Sequence, residues 1–385
     1  MIYYQKVNNK TYFYQDQFIQ KLPDGDKATW FFNNMETGSF YVESVAKQKI
    51  EDYIPYSELG DWDKINKKFE SHKKAAEVCK IKFDDPMDLI PEDLLKTYYY
   101  FLNKATENYV KENNINSFNM HVSRAASLVQ KIKEQRINLD FKQLDEQILK
   151  NPKNKKVIDK IKETNRIIDY DVLGSKTGRL TNNPDGIPIL TLKKELRGII
   201  KPQNDLFAEF DYNAAEARVL LALSGKEQPE GDIHEWNINN VFRGMGTREE
   251  AKVRFFSWLY NSNSDDFLLN RFYDKETVLK QFYDGKQIKN PFGRVIESDD
   301  FHALNYLTQS TCADLVLEQA VKLDYFLKDK KSKIAFIIHD SIVVDITKSD
   351  FKLLTKMLDY FAETRLGRFR VNLSGGKNFG EMKKI

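Results

Sequence analysis

The stretch KIAFIIHDSIVVDI, residues 333–346, constrains the fold of this chain more than any other. IAFII and IVVDI are rich in β-branched residues and are separated only by His339, Asp340 and Ser341. Two such runs around a short polar interruption predict an antiparallel hairpin with Asp340 at its tip. A second stretch, LFAEFDYNAAEARVLLALSG at 206–225, joins a short apolar strand to an Ala- and Leu-rich run that predicts a helix. Asp211 falls at that junction, held on rigid scaffold yet open to solvent, as a metal ligand requires. Taken alone, it also reads as a cap or turn residue.

The hairpin changes that balance. Placed beside the Asp211 strand in one sheet, it would bring Asp211 and Asp340 to one place. Two carboxylates sharing a site without a counter-ion would drive one pKa sharply upward. Two Mg²⁺ ions would keep both ionised and make the pair a clamp for in-line phosphoryl transfer. Mg²⁺ suits oxygen ligands and takes a few carboxylates together with substrate phosphates, and Mn²⁺ is a substitute.

GMGTREEAKVRFFSWLYNSNSDD at 244–266 supplies a partner for such a site. Thr247 with Glu250 three residues on is a capping-box signature, so a helix should begin there. Arg248, Lys252, Phe256 and Tyr260 then recur every four residues along one slowly winding stripe. Two cations followed by two aromatic rings suit a nucleoside triphosphate, although chance spacing on a surface helix gives the same pattern. Phe255, Trp258 and Leu259 lie elsewhere and can face a core. Just upstream, His234 in GDIHEWNINNVF could donate to a phosphate or be structural.

The remaining chain bounds the architecture. With 385 residues, 41% hydrophobic and 30% charged, it should fold into two or three lobes and not be disordered. Sixty Lys and Arg against 57 Asp and Glu exclude a histone-like polycation but permit local basic tracts. No apolar run approaches the roughly 20 residues that span a bilayer, and the first residues lack a signal-peptide core, so the expectation is a cytoplasmic protein without a membrane partner. Cys79 and Cys312 cannot make a disulfide framework or a zinc site by themselves. TYFYQDQFIQ and ATWFFNNMETGSFYVES in the first 120 residues alternate like strands and hairpins. From Pro91 the pattern turns helical, as in EDLLKTYYYFLNKATENYV and SRAASLVQKIKEQ. A basic helical stretch follows from about Phe141 to Asn165, either a solvated face or a surface for phosphates.

Taken in order, these residues resemble the polymerase region of the DNA polymerase I family (family A), of a phage-type member. The resemblance covers roughly Ser127 to Ile385. It is carried by TGRL at 177–180, DYNAAEARVL at 211–220, DIH at 232–234 and the Arg248/Lys252/Phe256/Tyr260 helix. PFGR at 291–294, Asn305 and Gln309, HD at 339–340 and the closing GKNFGEM, similar to the family's last strand, continue it. The resemblance implies an α+β right-hand polymerase of palm, fingers and thumb behind a small β-rich N-terminal region. Residues 1–120 would form that region and 121–385 the polymerase domain. Within the latter, a reduced thumb is expected at about 140–170, palm at about 171–233 and 300–385, and fingers at about 234–299.

The resemblance also implies roles. Asp211 and Asp340 match the metal-binding carboxylates, with the Tyr212 backbone carbonyl a further ligand. Arg248, Lys252 and His234 match triphosphate-binding positions, and Lys252 would donate a proton to the pyrophosphate leaving group. Phe256 and Tyr260 match the aromatics beside the incoming sugar and base. Glu216 matches the steric gate that crowds a 2′-hydroxyl, and Arg179, Asn305, Gln309 and His339 match contacts to the primer-template. The implied partners are primer-template DNA and dNTPs, together with a processivity factor, helicase or single-strand-binding protein.

Departures keep alternatives open. Ser341 follows Asp340 where the family's DNA polymerases place Glu, which is closer to single-subunit RNA polymerases; Glu216, TGRL and DIH point to deoxynucleotides. Asn261 stands where a Gly is expected, and Phe301 where the family has an Arg. Asn34 occupies the Asp position of an exonuclease-like motif beside Glu36, so no proofreading is expected, and residues 1–120 read as an eroded exonuclease or an unrelated module. A non-catalytic DNA-binding replication accessory is the remaining alternative.

Overall fold

Strand and helix are mixed throughout the computed structural model, which describes residues 5–7, 11–14, 16–20, 30–32, 35–37, 50–81, 86–112, 117–172, 174–261 and 264–385. Asn34 lies outside the described residues. The chain divides into two compact units, residues 1–127 and 128–385. Among the described residues no helix is long and apolar enough to cross a membrane.

The first unit holds an antiparallel sheet in the order Gln17–Ile19, Tyr12–Tyr14, Gln5–Lys6, Met35–Thr37, Trp30–Phe32. Both hairpins read from TYFYQDQFIQ and WFFNNMET are therefore present. The sequence pattern missed a long helix, Leu59–Val78. Its buried residues are Trp62, Phe69 and Ala76, and Leu59 and Ile65 are partly buried against the same core. Against it lies the helix Glu92–Glu112. Phe69 stacks on Tyr98 with ring centroids 3.9 Å apart, and Trp62 packs at 5.4 Å from the same ring.

In the second unit the organising element is a five-stranded antiparallel sheet. Its strands are β1 (Leu206–Tyr212), β2 (Lys333–Ile338), β3 (Ser341–Ile346), β4 (Val371–Gly376) and β5 (Lys383–Lys384), in spatial order β2-β3-β1-β4-β5. All six residues of β3 are buried, as are five of six in β2, so this hairpin is covered on both faces. The β-branched run therefore forms a covered pair of strands, although β2 is the outermost strand on its side of the sheet. The stretch GKNFGEM is not itself the last strand. β4 precedes it as VNLSGG, and residues 377–382 form the turn into β5.

Five helices surround the sheet's working end: α1 (Ala215–Leu223), α2 (Ile233–Asn240), α3 (Arg248–Tyr260), α4 (Ala303–Phe326) and α5 (Leu354–Ala362). α1 buries eight of its nine residues and α4 is mostly buried along its 24, as expected for helices packed on several sides. Tyr212 ties β1 to α5: its ring stacks on Phe361 at 4.2 Å and its hydroxyl donates to the Phe361 carbonyl. The expected single basic helix over 141–165 is two helices, Phe141–Lys150 and Lys155–Glu163, parted by a 3₁₀ turn at Pro152–Asn154. Pro152 causes the break, because it cannot supply the helical N–H. Leu144, Ile158 and Ile161 are buried, while Lys153, Lys155, Lys156, Lys160, Lys162 and Arg166 face solvent.

Candidate active site

Strand register builds the acidic centre. Asp211 lies opposite Ser341 of β3 and Asn372 of β4, so Asp340, one residue before Ser341, adjoins it across the ladder. The Tyr212 N–H donates to the Asp340 carbonyl at 3.3 Å, closing the end of the sheet. The two-residue turn places His339 at φ +50° and exposes it, while Asp340 is only partly accessible. Short polar side chains and His tolerate that left-handed backbone better than most.

The electrostatics follow from this crowding. Burial, and then the negative charge of Asp340, push the Asp211 carboxyl up to about 7. Burial also raises Asp340. Among the described residues neither carboxylate forms an ion pair; Asp211 accepts only from the Asn372 amide, at 3.3 Å. Two hard oxygen donors held together without a protein cation fit a divalent ion of the Mg²⁺ type. Among the described residues no group of three or more His, Cys, Asp and Glu side chains could hold a metal, so such a site would rest on this pair, backbone carbonyl and substrate oxygens.

α3 begins as its sequence requires. Thr247 accepts from the Glu250 N–H at 3.3 Å and the Glu250 carboxylate accepts from the Thr247 N–H at 2.7 Å, completing the capping box. Ala251, Phe255, Trp258 and Leu259 bury one face of the helix. The Phe256 and Tyr260 rings stack at 6.1 Å. Lys252 is exposed, and Arg248 is partly accessible. His234, on α2, is 1% exposed with its ring 5.9 Å from that of Phe256, and neither ring nitrogen has a hydrogen-bond partner. Burial lowers its pKa to about 4, so the neutral ring is the favoured form. Two unpaired buried nitrogens are costly, and a ligand oxygen would relieve one of them.

A second network joins α1 to α3. Glu216 accepts from the Tyr260 hydroxyl at 2.5 Å and forms an ion pair with Arg179. Burial raises the Glu216 pKa, with the Tyr260 bond opposing. Thr177 donates to Gln309 at 2.6 Å, which draws the TGRL loop onto α4. Asn305, a turn away on α4, has a buried Oδ1 without a partner.

Several functional-looking residues escaped the sequence reading. Glu209 lies two positions before Asp211, hence on the same face of β1, and accepts from the Ser341 hydroxyl at 3.2 Å. The two-residue period of a strand could have flagged it. Asp232 caps α2 by accepting from the His234 and Glu235 N–H groups, and it also receives Asn213 at 3.0 Å and Arg248 at 2.8 Å. Burial works against its ionisation, but these donors, the Arg248 guanidinium first, hold Asp232 well below the usual carboxylate range. Arg218 is fully buried and donates to the carbonyls of Asn213, Pro229 and Gly231. Arg294 of PFGR forms a buried two-pronged pair with Asp314 of α4, both bonds at 2.9 Å. Gly178 of TGRL has φ +77°, and a Cβ there would stand 2.4 Å from the Arg294 guanidinium carbon, so three separate motifs interlock at one point. No local pattern announces the Arg248–Asp232, Arg218 and Arg294–Asp314 contacts, because each joins residues ten or more positions apart.

No protein-family model matches the chain, and no curated protein matches it. Among solved structures it is similar to the polymerase domain of Pol1 from M. smegmatis in complex with DNA primer-template and dNTP. The likeness covers 86% of this chain and 68% of that one, at 14% identity and a TM-score of 0.48. At that level the likeness assigns nothing by itself.

Proposed function

We propose that the chain is a template-directed DNA polymerase that extends a primer 3′-hydroxyl with deoxynucleotides. The observation that carries this reading is the Asp211–Asp340 pair at one sheet end, raised in pKa and without an ion pair among the described residues, beside a helix bearing Arg248, Lys252, Phe256 and Tyr260. Two divalent cations, when bound, would supply charge neutralisation for an in-line phosphoryl transfer. Asp211, Asp340 and the Tyr212 carbonyl would hold them. Arg248 and Lys252 would bind the triphosphate, His234 would offer a ring nitrogen to a phosphate oxygen, and Lys252 would hold the proton that passes to pyrophosphate. Phe256 and Tyr260 would form the floor beneath sugar and base. Glu216, fixed by Tyr260 and Arg179, would crowd the 2′ position and disfavour ribonucleotides. Arg179, Asn305, Gln309 and His339 would line the primer-template path. Little covalent work falls to side chains in such a reaction; positioning and charge do most of it.

On this reading the second unit is a right hand, with palm built on the β1–β5 sheet, fingers carrying α3 and a reduced thumb around residues 140–170. The first 120 or so residues contribute no proofreading, and a processivity factor, helicase or single-strand-binding protein assists. Primer extension with Mg²⁺ tests the proposal. Asp211→Ala and Asp340→Ala should each abolish extension of a primed template while leaving DNA binding largely intact. Extension by either variant at near wild-type rate would overturn the metal assignment. Ribonucleotides supplied alone should not support extension, and rapid synthesis from them would favour an RNA polymerase.

A further inference from the structure

α4 passes beside the acidic centre at Cys312, whose buried thiol is raised by burial and by the charges of Asp340 and Glu216. Its other end carries three rings in sequence. His302, Tyr306 and Gln309 share one face by their i, i+4, i+7 spacing. Gln309 lies at the site end, and His302 about 10 Å farther along the helix axis. The His302 and Tyr306 rings stack at 5.3 Å with 17° between planes, and Phe301 adjoins His302 at 5.1 Å. The Lys176 ammonium stands 5.0 Å from the Tyr306 ring centre. His302 is fixed as well: its N–H donates to the Asp299 carboxylate at 2.8 Å, and its ring Nδ1 lies 2.7 Å from the same oxygen. Phe301 therefore leans on an assembled His302–Tyr306 pair, its ring tilted 59° to that of His302, and it is 57% exposed.

An exposed phenyl ring backed by a held stack resembles the surface on which proteins receive unpaired bases. Every base offers a π-face, and a ring already buttressed by its neighbours costs less entropy to hold in place. The open cleft alongside mixes Lys176 and Lys286 with Asp284, Glu297 and Asp299, so phosphate attraction contributes little there. We propose that Phe301, supported by His302 and Tyr306, stacks on an unpaired base of single-stranded DNA as it approaches the site. Naming that strand the template rests on the polymerase reading; the stacking itself does not.

The test is equilibrium binding of the full chain, in EDTA and without nucleotide, to a primer-template with a 5′ template overhang and to the same duplex made blunt. Phe301→Ala should weaken overhang binding about 5- to 150-fold, the range for one lost base stack, with blunt-duplex affinity unchanged. Phe301→Trp should match or exceed wild type, and Phe301→Leu, of similar bulk but without a π-face, should behave like the Ala variant. The salt dependence of overhang binding should be the same in all four proteins, since no phosphate contact changes. The proposal fails if Phe301→Ala binds the overhang as wild type does, if both substrates lose equally, or if Leu replaces Phe without loss. Because no metal or nucleotide is present, failure of the wild-type chain to extend a primer in Mg²⁺ would sink the polymerase reading without altering these affinities.

Discussion

Replacing Asp211 with Asn should stabilise the metal-free protein at alkaline pH, and the gain can be worked from the acidic pair. The Asp211 carboxyl is moved from 3.8 to about 7 by burial and by Asp340. A folded-state pKa above the unfolded value means that the native state prefers the protonated acid. That contribution is complete below about pH 4 and is lost as pH rises through 7. About three units at roughly 1.4 kcal/mol each set a ceiling of about 4 kcal/mol. Asp211 is only partly buried, and solvent screening brings the expected value to about 1–2 kcal/mol. For a folding unit of this size each kcal/mol moves Tm by about 2–4 °C. In EDTA at pH 8, Asp211→Asn should therefore melt about 2–8 °C above wild type, and the two should converge near pH 4. Asn retains an acceptor for the Asn372 amide, so no other contact is removed. Saturating Mg²⁺ at pH 8 should reverse the order, because a cation at 100 times its Kd adds about 2.7 kcal/mol to wild type alone. Circular dichroism melts of both proteins in EDTA and in Mg²⁺ make the measurement. A variant that melts at or below wild type in EDTA at pH 8, or a Mg²⁺ shift equal in both, would refute the account of the pair.

Other substitutions probe the neighbouring networks. Glu216→Ala removes the carboxylate held by Tyr260 and Arg179 and should cut discrimination against ribonucleotides by about 10- to 100-fold; unchanged sugar selectivity in single-nucleotide kinetics would count against a gate. Asp232→Asn loosens Arg248, so KM for the incoming nucleotide should rise about tenfold with kcat changed less, and Asp232→Glu should restore part of the loss. Arg218→Met strands the buried Asn213 carbonyl and frees those of Pro229 and Gly231; it should cost about 1–3 kcal/mol in urea unfolding, with an unchanged midpoint arguing that water replaces the guanidinium.

Much of the site could be read locally. The hairpin from IAFII and IVVDI, the capping box at Thr247 and Glu250, and the buried face of α3 each arise from contacts between residues a few positions apart, where period and turn chemistry act directly. The helix Leu59–Val78 was legible in principle, since Leu59, Trp62, Ile65 and Phe69 recur every three or four residues. The break at Pro152 is legible in the letters, since proline ends a helix whatever the charge pattern around it.

What the sequence determined by itself is therefore three elements and the chemistry each carries: a β-branched hairpin with an acid at its turn, an acid at a strand end, and a helix striped with cations and rings. Only the tertiary structure decided their mutual position. It set Ser341 and Asn372 opposite Asp211, gathered Asp232, Asn213 and Arg248 around one carboxylate, and buried Arg294 against Asp314 under Gly178. The physical reason is range. Hydrophobic period and capping act over one or two turns of chain, whereas charge pairing and desolvation act between whichever groups the sheet register brings within a few ångströms, however far apart they lie in sequence.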